Sequence, residues 1–232
     1  MIPLRDNIPT SRFPVVTVAL IAVNAAVWLF YELPDLNGAV FDAGWFPCEI
    51  DGACDAPGPS WPFDAFTSMF MHGGWIHIIG NMLFLWIFGN NVEDRMGRLP
   101  FVGFYLAGGL AATALQTAVT LGWGAPEDAR IPNVGASGAI AAVLGAYFLL
   151  YPQARVLTAV IIVFIFTPIE VPAVVFLGIW FLFQLWQGGF DLFAPTGSGT
   201  GGVAFFAHIG GFVFGLLVGY PLRARRKPRT PA

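Results

Sequence analysis

Seven apolar stretches run along this chain, at Val15 to Tyr31, Ile76 to Gly89, Phe101 to Trp123, Val134 to Leu150, Val156 to Ile169, Val171 to Trp186 and Gly202 to Tyr220. Only short links rich in charge, Pro or Gly separate them. A helix needs roughly 20 residues to cross a hydrocarbon core of about 30 Å, so several of these stretches are plausible spans once their flanks are counted. Composition points the same way: 56% of the 232 residues are hydrophobic and 11% are charged, against about 25% charged in an ordinary soluble domain. The expectation is an all-α polytopic membrane protein whose surroundings are the lipid bilayer.

Two stretches read differently from the rest. Ile76 to Gly89 extends backwards through "FTSMFMHGGW", a polar, glycine-containing approach to a helix, and Val156 to Ile169 is closed in by Pro152 before it and by Glu170 and Pro172 after it. Basic residues choose the count. With six spans and a cytoplasmic N-terminus, Arg5, Arg12, Arg95, Arg98, Arg155 and the five basic residues of "RARRKPR" fall inside, ten of eleven, and only Arg130 is left outside. A seventh span at Val156 to Ile169 would export that tail. The segment is therefore expected to be a short hydrophobic element that lies at the interface or leads into the fifth span. This divides the chain into a cytoplasmic segment 1–14, a six-helix membrane domain 15–220 with an external loop of about 32–66, and a basic cytoplasmic tail 221–232. The first apolar run lacks a small-x-small cleavage site before "YELPD", which favours a retained span over a cleaved signal peptide. Cys48 and Cys54 both fall in the outer loop, where an oxidising compartment permits a disulfide and two free thiols are the alternative. The tail needs no nucleic acid to explain it, because a charge anchor at the inner leaflet suffices.

Polar groups at membrane depth are expensive and default to a functional reading. The three histidines, His72, His77 and His208, each sit in or at the mouth of an expected span. His77 and Asn81 are one helical turn apart in "HIIGN" and share a face. In a six-span topology the second, fourth and sixth spans run in one direction, and His77, Ser137 and His208 lie near the start of each, so all three fall toward the outer half of the bilayer. Gly211, Gly215 and Gly219 recur every four residues on the last span, and Gly138, Ala142 and Ala146 do so on the fourth. Such small-residue faces permit close approach and would bring Ser137 to His208 if their offsets match. Three histidines also raise the question of metal, but zinc sites want further ligands, and no His-Glu-x-x-His or acidic companion occurs within the spans. No metal or other cofactor is expected.

Three segments, "HGGWIHIIGNMLFLWIFGNNVEDRMG" (His72 to Gly97), "GASG" (Gly135 to Gly138) and "AHIGGFVFG" (Ala207 to Gly215), taken with their order and their place on alternating spans, resemble the bacterial rhomboid family of intramembrane serine proteases. The resemblance implies a six-helix core with Ser137 as nucleophile and His208 as its base. It implies His77 and Asn81 on the oxyanion side, His72 as a structural residue of the same helix, a loop from Leu33 to Phe66 that partly enters the membrane with Trp45 and Trp61, and a charged network around Glu93 and Arg95. Its substrates would be single-span membrane proteins cut near the external end of the span. Where some relatives place a tyrosine one turn after the nucleophile, this chain has Ala141, so ring stacking on the histidine must come from elsewhere or be absent. No Asp or Glu is evident beside His208, which suggests a dyad whose tautomer is held by packing and backbone. A catalytically silent rhomboid-like binder is the alternative from another class, disfavoured by the presence of both Ser137 and His208. A small transporter could use the histidines as a proton relay but leaves "GASG" unexplained.

Overall fold

The computed structural model describes residues 2–54, 61–162, 165–193 and 204–224; Arg225 to Ala232 of the expected tail lie outside them. Strand β1 (Ile2–Asp6) leads to helix α1 (Val15–Val27), which continues through a wider π-type turn at Trp28–Glu32. Short helices α2 (Leu36–Ala43) and α3 (Trp61–Thr67) follow, then α4 (Trp75–Phe84), which runs through a second π-type turn into α5 (Asn90–Met96). After these come α6 (Arg98–Trp123), α7 (Ser137–Leu150), strands β2 (Arg155–Ile162) and β3 (Ile165–Pro172), and helices α8 (Ala173–Phe193) and α9 (Phe205–Ala224).

Four helical segments are long and apolar enough to cross a membrane: Val15–Glu32, Arg98–Trp123, Ala173–Phe190 and Phe205–Arg223. A fifth arises if Pro62–Phe70 and Trp75–Met96, bent by 85° at the break, count as one span. The expected count of six is not reached by length and composition alone. The consecutive Gly73 and Gly74, poor helix formers, fall in the break between the two arms, and α7 has only 14 residues, about 21 Å at 1.5 Å per residue. What α7 lacks in length it makes up in burial. Gly138 to Tyr147 and Leu150 are all buried, as expected of a helix that is apolar on every side and sits at the centre of its bundle.

The segment Val156 to Ile169 is extended rather than helical, and its second strand runs directly into α8, as a short element leading into the next long apolar helix was expected to do. It forms a β-hairpin with Arg155 opposite Pro172 and Ile162 opposite Ile165, and β1 adds to it antiparallel, Ile2 against Ala159 and Asp6 against Val156. The β-branched run of "RVLTAVII" suits a strand, and Pro168 and Pro172 are tolerated because β3 lies at the edge of the sheet order β1-β2-β3. The membrane part is thus all-α, and the sheet lies at one end of it.

That sheet end is held by hydrogen bonds to helix termini. Glu93 accepts from the Val16 and Thr17 N–H groups at 3.0 and 2.8 Å and from the Thr17 hydroxyl at 2.8 Å, satisfying donors that the first turn of α1 leaves open. Arg95 donates to the Leu222 carbonyl at 2.6 Å, near the other kind of terminus, the C-terminal end of α9. Ser11 donates its N–H and hydroxyl to Asp94 at 3.0 and 2.6 Å. Tyr147 and Asn91 both donate to Asp6 Oδ2, tying β1 to α7.

Parallel α7 and α9 meet along the two small-residue faces. A Cβ at Gly211 would come within 3.1 Å of the Ala141 Cβ, one at Gly215 within 2.8 Å of the Ala142 carbonyl carbon, and one at Gly219 within 3.0 Å of the Ala146 Cα. Gly138 faces Ala112 of α6, where an added Cβ would come within 2.6 Å of the Ala112 Cβ. The offsets advance by four on both helices, so the register that places Gly219 on Ala146 also brings the starts of α7 and α9 level.

Candidate active site

Ser137 opens α7 and His208 lies in the first turn of α9, and at the register set by the glycine seam His208 Nε2 is 2.9 Å from Ser137 Oγ. Both residues are half-buried. A serine hydroxyl bound to an imidazole nitrogen at that distance has a base in reach of its proton.

The chain reaches Ser137 through irregular backbone whose polar groups are taken up by neighbours, as a membrane-depth loop requires. Trp45 and Asn133 exchange backbone hydrogen bonds at 3.1 and 2.7 Å, and the Gly135 N–H donates to the Ser68 carbonyl at 2.9 Å. Trp45, fully buried, also donates its indole N–H to Thr117 Oγ1 at 2.7 Å. Gly135 has φ +135°, and a Cβ there would lie 2.8 Å from His77 Nε2 and 3.4 Å from Ser137 Oγ. Only glycine holds this backbone without strain, and its missing side chain lets the His77 ring come close to the backbone just before Ser137.

His77 Nδ1 accepts a hydrogen bond from the Gly73 N–H at 3.3 Å. In the neutral ring the proton is then on Nε2, the atom facing Gly135. Asn81, one turn further along the same face of α4, is buried, and its Nδ2 has no hydrogen-bond partner among the described residues. The Ser137 N–H opens its helix and so has no intrahelical acceptor. His72 is buried in the non-helical break ahead of Trp75 rather than, as expected, on the helix of His77; its N–H donates to Glu32 Oε1, and its ring packs edge-on to His77 at 5.1 Å between centroids. The loop cysteines Cys48 and Cys54 are disulfide-bonded, with Cα atoms 5.6 Å apart.

A sequence model of the Rhomboid domain matches residues 60–225. The chain belongs to the rhomboid family. It is 31% identical over 160 residues to Rhomboid protein 1, mitochondrial, of Saccharomyces cerevisiae, covering 66% of this chain and 40% of the yeast protein. Over 135 residues it is 28% identical to the Bacillus subtilis rhomboid relative YdcA, covering 58% and 61%, and over 148 residues 28% identical to the presenilin-associated rhomboid-like protein of Rattus norvegicus, covering 64% and 36%. This rhomboid therefore spans less than two thirds of the length of each of these relatives, which come from both bacteria and eukaryotes.

Sequence reasoning missed two partners of His208 in this rhomboid. Gln184 of α8, 5% exposed, places Oε1 2.8 Å from His208 Nδ1, and Trp180, one turn earlier, packs its ring 5.8 Å from the imidazole at 40°. Trp180 sets a tilted ring beside the imidazole where Ala141 offers none, and His208 Nδ1 meets a side chain as well as packing and backbone. Gln184 was legible by the same rule that singled out Asn81, an amide inside an apolar span. Glu32, fully buried at the end of the first span, carried the same signal.

Proposed function

We propose that this rhomboid is an intramembrane serine endopeptidase of six spans, α7 included, that cleaves single-span membrane proteins near the external end of their transmembrane helix. In this reading the chain sits in a bacterial cell membrane with both termini cytoplasmic, the sheet end inside and the Cys48 to Cys54 loop outside. The observation that carries it is the hydrogen bond of Ser137 to His208 in a member of the rhomboid family.

Ser137 Oγ attacks the scissile carbonyl carbon while His208 Nε2 takes the hydroxyl proton. The tetrahedral oxyanion is met by donors for which no acceptor is found among the described residues: the Ser137 N–H, His77 Nε2–H and Asn81 Nδ2–H. Preorganised donors of this kind are worth about 3 kcal/mol each to the transition state. His208 then gives its proton to the leaving amine, the peptide C–N bond breaks, and water admitted from the loop end hydrolyses the ester on Ser137 by the same proton route. His72 serves by tying the approach of α4 to Glu32. Gly138, Gly211 and Gly215 serve by setting the register of the two reacting side chains, and Glu93 and Arg95 hold the opposite end.

In liposomes, cleavage of a single-span model substrate should need no added metal and should survive EDTA. Ser137→Ala should abolish it and His208→Ala should nearly do so. A fluorophosphonate probe should label wild type at Ser137 and neither variant. Cleavage that persists in the Ser137→Ala, His208→Ala double variant would overturn the protease reading.

A further inference from the structure

We infer that Gln184 is a positioning residue for His208, a neutral third member that holds the imidazole in the one tautomer able to accept the serine proton. This rests on the serine-protease reading and deepens it.

The direction of the contact follows from the other end of the amide. Gln184 Nε2 lies 3.4 Å from the Trp180 carbonyl, which can only accept, so the amide N–H2 turns toward Trp180 and Oε1 toward His208. A carbonyl oxygen 2.8 Å from His208 Nδ1 can only accept in turn, so Nδ1 carries the proton. Neutral imidazole has one N–H, and Nε2 is left as a lone pair aimed at Ser137 Oγ, 2.9 Å away. With the amide reversed, its N–H would donate to Nδ1 and the ring proton would move to Nε2, where it blocks acceptance from serine.

Three helices thereby contribute one linear chain: Trp180 and Gln184 from α8, His208 from α9 and Ser137 from α7. A carboxylate in this place would have to be taken out of water as a charge. An amide offers the same acceptor without that desolvation cost. Burial of Gln184 at 5% exposure keeps water from competing for Nδ1, and Trp180 fixes the ring plane from one side.

The test compares Gln184→Leu, which keeps the volume and loses the acceptor, with Gln184→Glu, which keeps an acceptor oxygen. A wrong tautomer costs about 10⁴ in turnover where a carboxylate holds the base, and a neutral acceptor should matter less. For Gln184→Leu we expect kcat to fall about 10- to 100-fold with KM unchanged, and for Gln184→Glu activity within about threefold of wild type. ¹⁵N NMR of histidine-labelled protein gives an independent readout, because the chain has three histidines and His208→Ala assigns the signal of interest. Wild type and Gln184→Glu should show a single Nδ1-protonated tautomer at neutral pH, and Gln184→Leu a mixture. If leucine prevents folding, Gln184→Met takes its place.

Wild-type kcat in Gln184→Leu, or an unchanged His208 tautomer, would overturn the inference while leaving the protease reading intact. Absence of Ser137-dependent cleavage in wild type would instead overturn that reading, and the tautomer would still report on Gln184.

Discussion

The two ends of the helical bundle both carry buried polar side chains, and they use them in opposite ways. At the sheet end, Glu93, Arg95, Asp94, Asp6 and Asn91 each meet a named partner, several of them the open groups of a helix terminus. At the loop end, Asn81 Nδ2 is buried without a partner among the described residues, the Ser137 N–H opens its helix, and His77 places Nε2 against Gly135. Buried polar groups are normally satisfied, and an exception calls for an explanation. Satisfaction at one end makes those residues architecture. Donors left open at the other end fit the proposed oxyanion role.

The seam between the ends offers the largest test. Gly215→Val puts a side chain onto the Ala142 backbone, 2.8 Å from its carbonyl carbon for the Cβ alone, in a helix pair that has no flexible side chain there to yield. Overpacking a core costs about 1 to 3 kcal/mol where it can relax, and backbone against backbone should cost at least the upper figure. Most of the variant should fail to purify as folded protein, and the remainder should have lost fluorophosphonate labelling, because the same register sets the distance from Ser137 to His208. Full labelling at wild-type yield would separate the seam from the site.

Next in size is Asn81→Ala. It should leave thermal stability unchanged or slightly improved, since it removes an unsatisfied donor, and lower kcat by roughly 10²-fold or somewhat less with KM retained. Unchanged turnover would remove Asn81 from the oxyanion role and weaken the contrast between the ends.

Glu93→Ala should do the reverse. It strands the Val16 and Thr17 donors, and leaving a buried donor unmet costs about 1 to 3 kcal/mol. Thermal denaturation should show a loss of that size, while kcat of the folded fraction should remain within about twofold of wild type. A large fall in kcat at unchanged stability would mean that the sheet end takes part in the chemistry.

The smallest effect concerns Asp6, which lies outside the spans. Burial holds its carboxyl above the ordinary value, partly offset by the hydrogen bond from Tyr147. The folded state thus holds this proton more tightly than the unfolded state. Stability from it is fully present below the unfolded value and is lost as pH rises through the raised one. Relative to Asp6→Asn, wild type should therefore lose melting temperature as pH rises through that window, by no more than the equivalent of about 1 kcal/mol. A difference that does not change with pH would show that the contact of β1 with Tyr147 is insensitive to the charge.

Local pattern made the membrane character, the polar residues at matched depth and the glycine seam readable in one dimension. Apolar runs of span length can be satisfied only in lipid, and glycines four apart share a face of any helix, so Gly211 and Gly215 on one side and Gly138 and Ala142 on the other implied contact before any coordinates. That contact would bring Ser137 to His208 only if the offsets matched, and the roles of the two came from the family resemblance. The hairpin at Val156 to Ile169 was not readable, because a short apolar run is equally consistent with strand and buried helix, and what decided it was pairing with β1, more than 140 residues away in the chain. Gln184 was legible as an amide inside an apolar span, but its partner and that of Trp180 were hidden for a related reason. Their spacing marks one face of α8, but whether that face meets lipid or His208 depends on how α8 rotates against α9, and rotation is set by the packing of Gly188 on Phe205 and Phe206 and of Phe181 on Phe212. Sequence alone singled out the candidate residues Ser137 and His208; only the tertiary structure brought Gln184 to His208 Nδ1, since that depends on a contact between two helices that no periodicity within either one encodes.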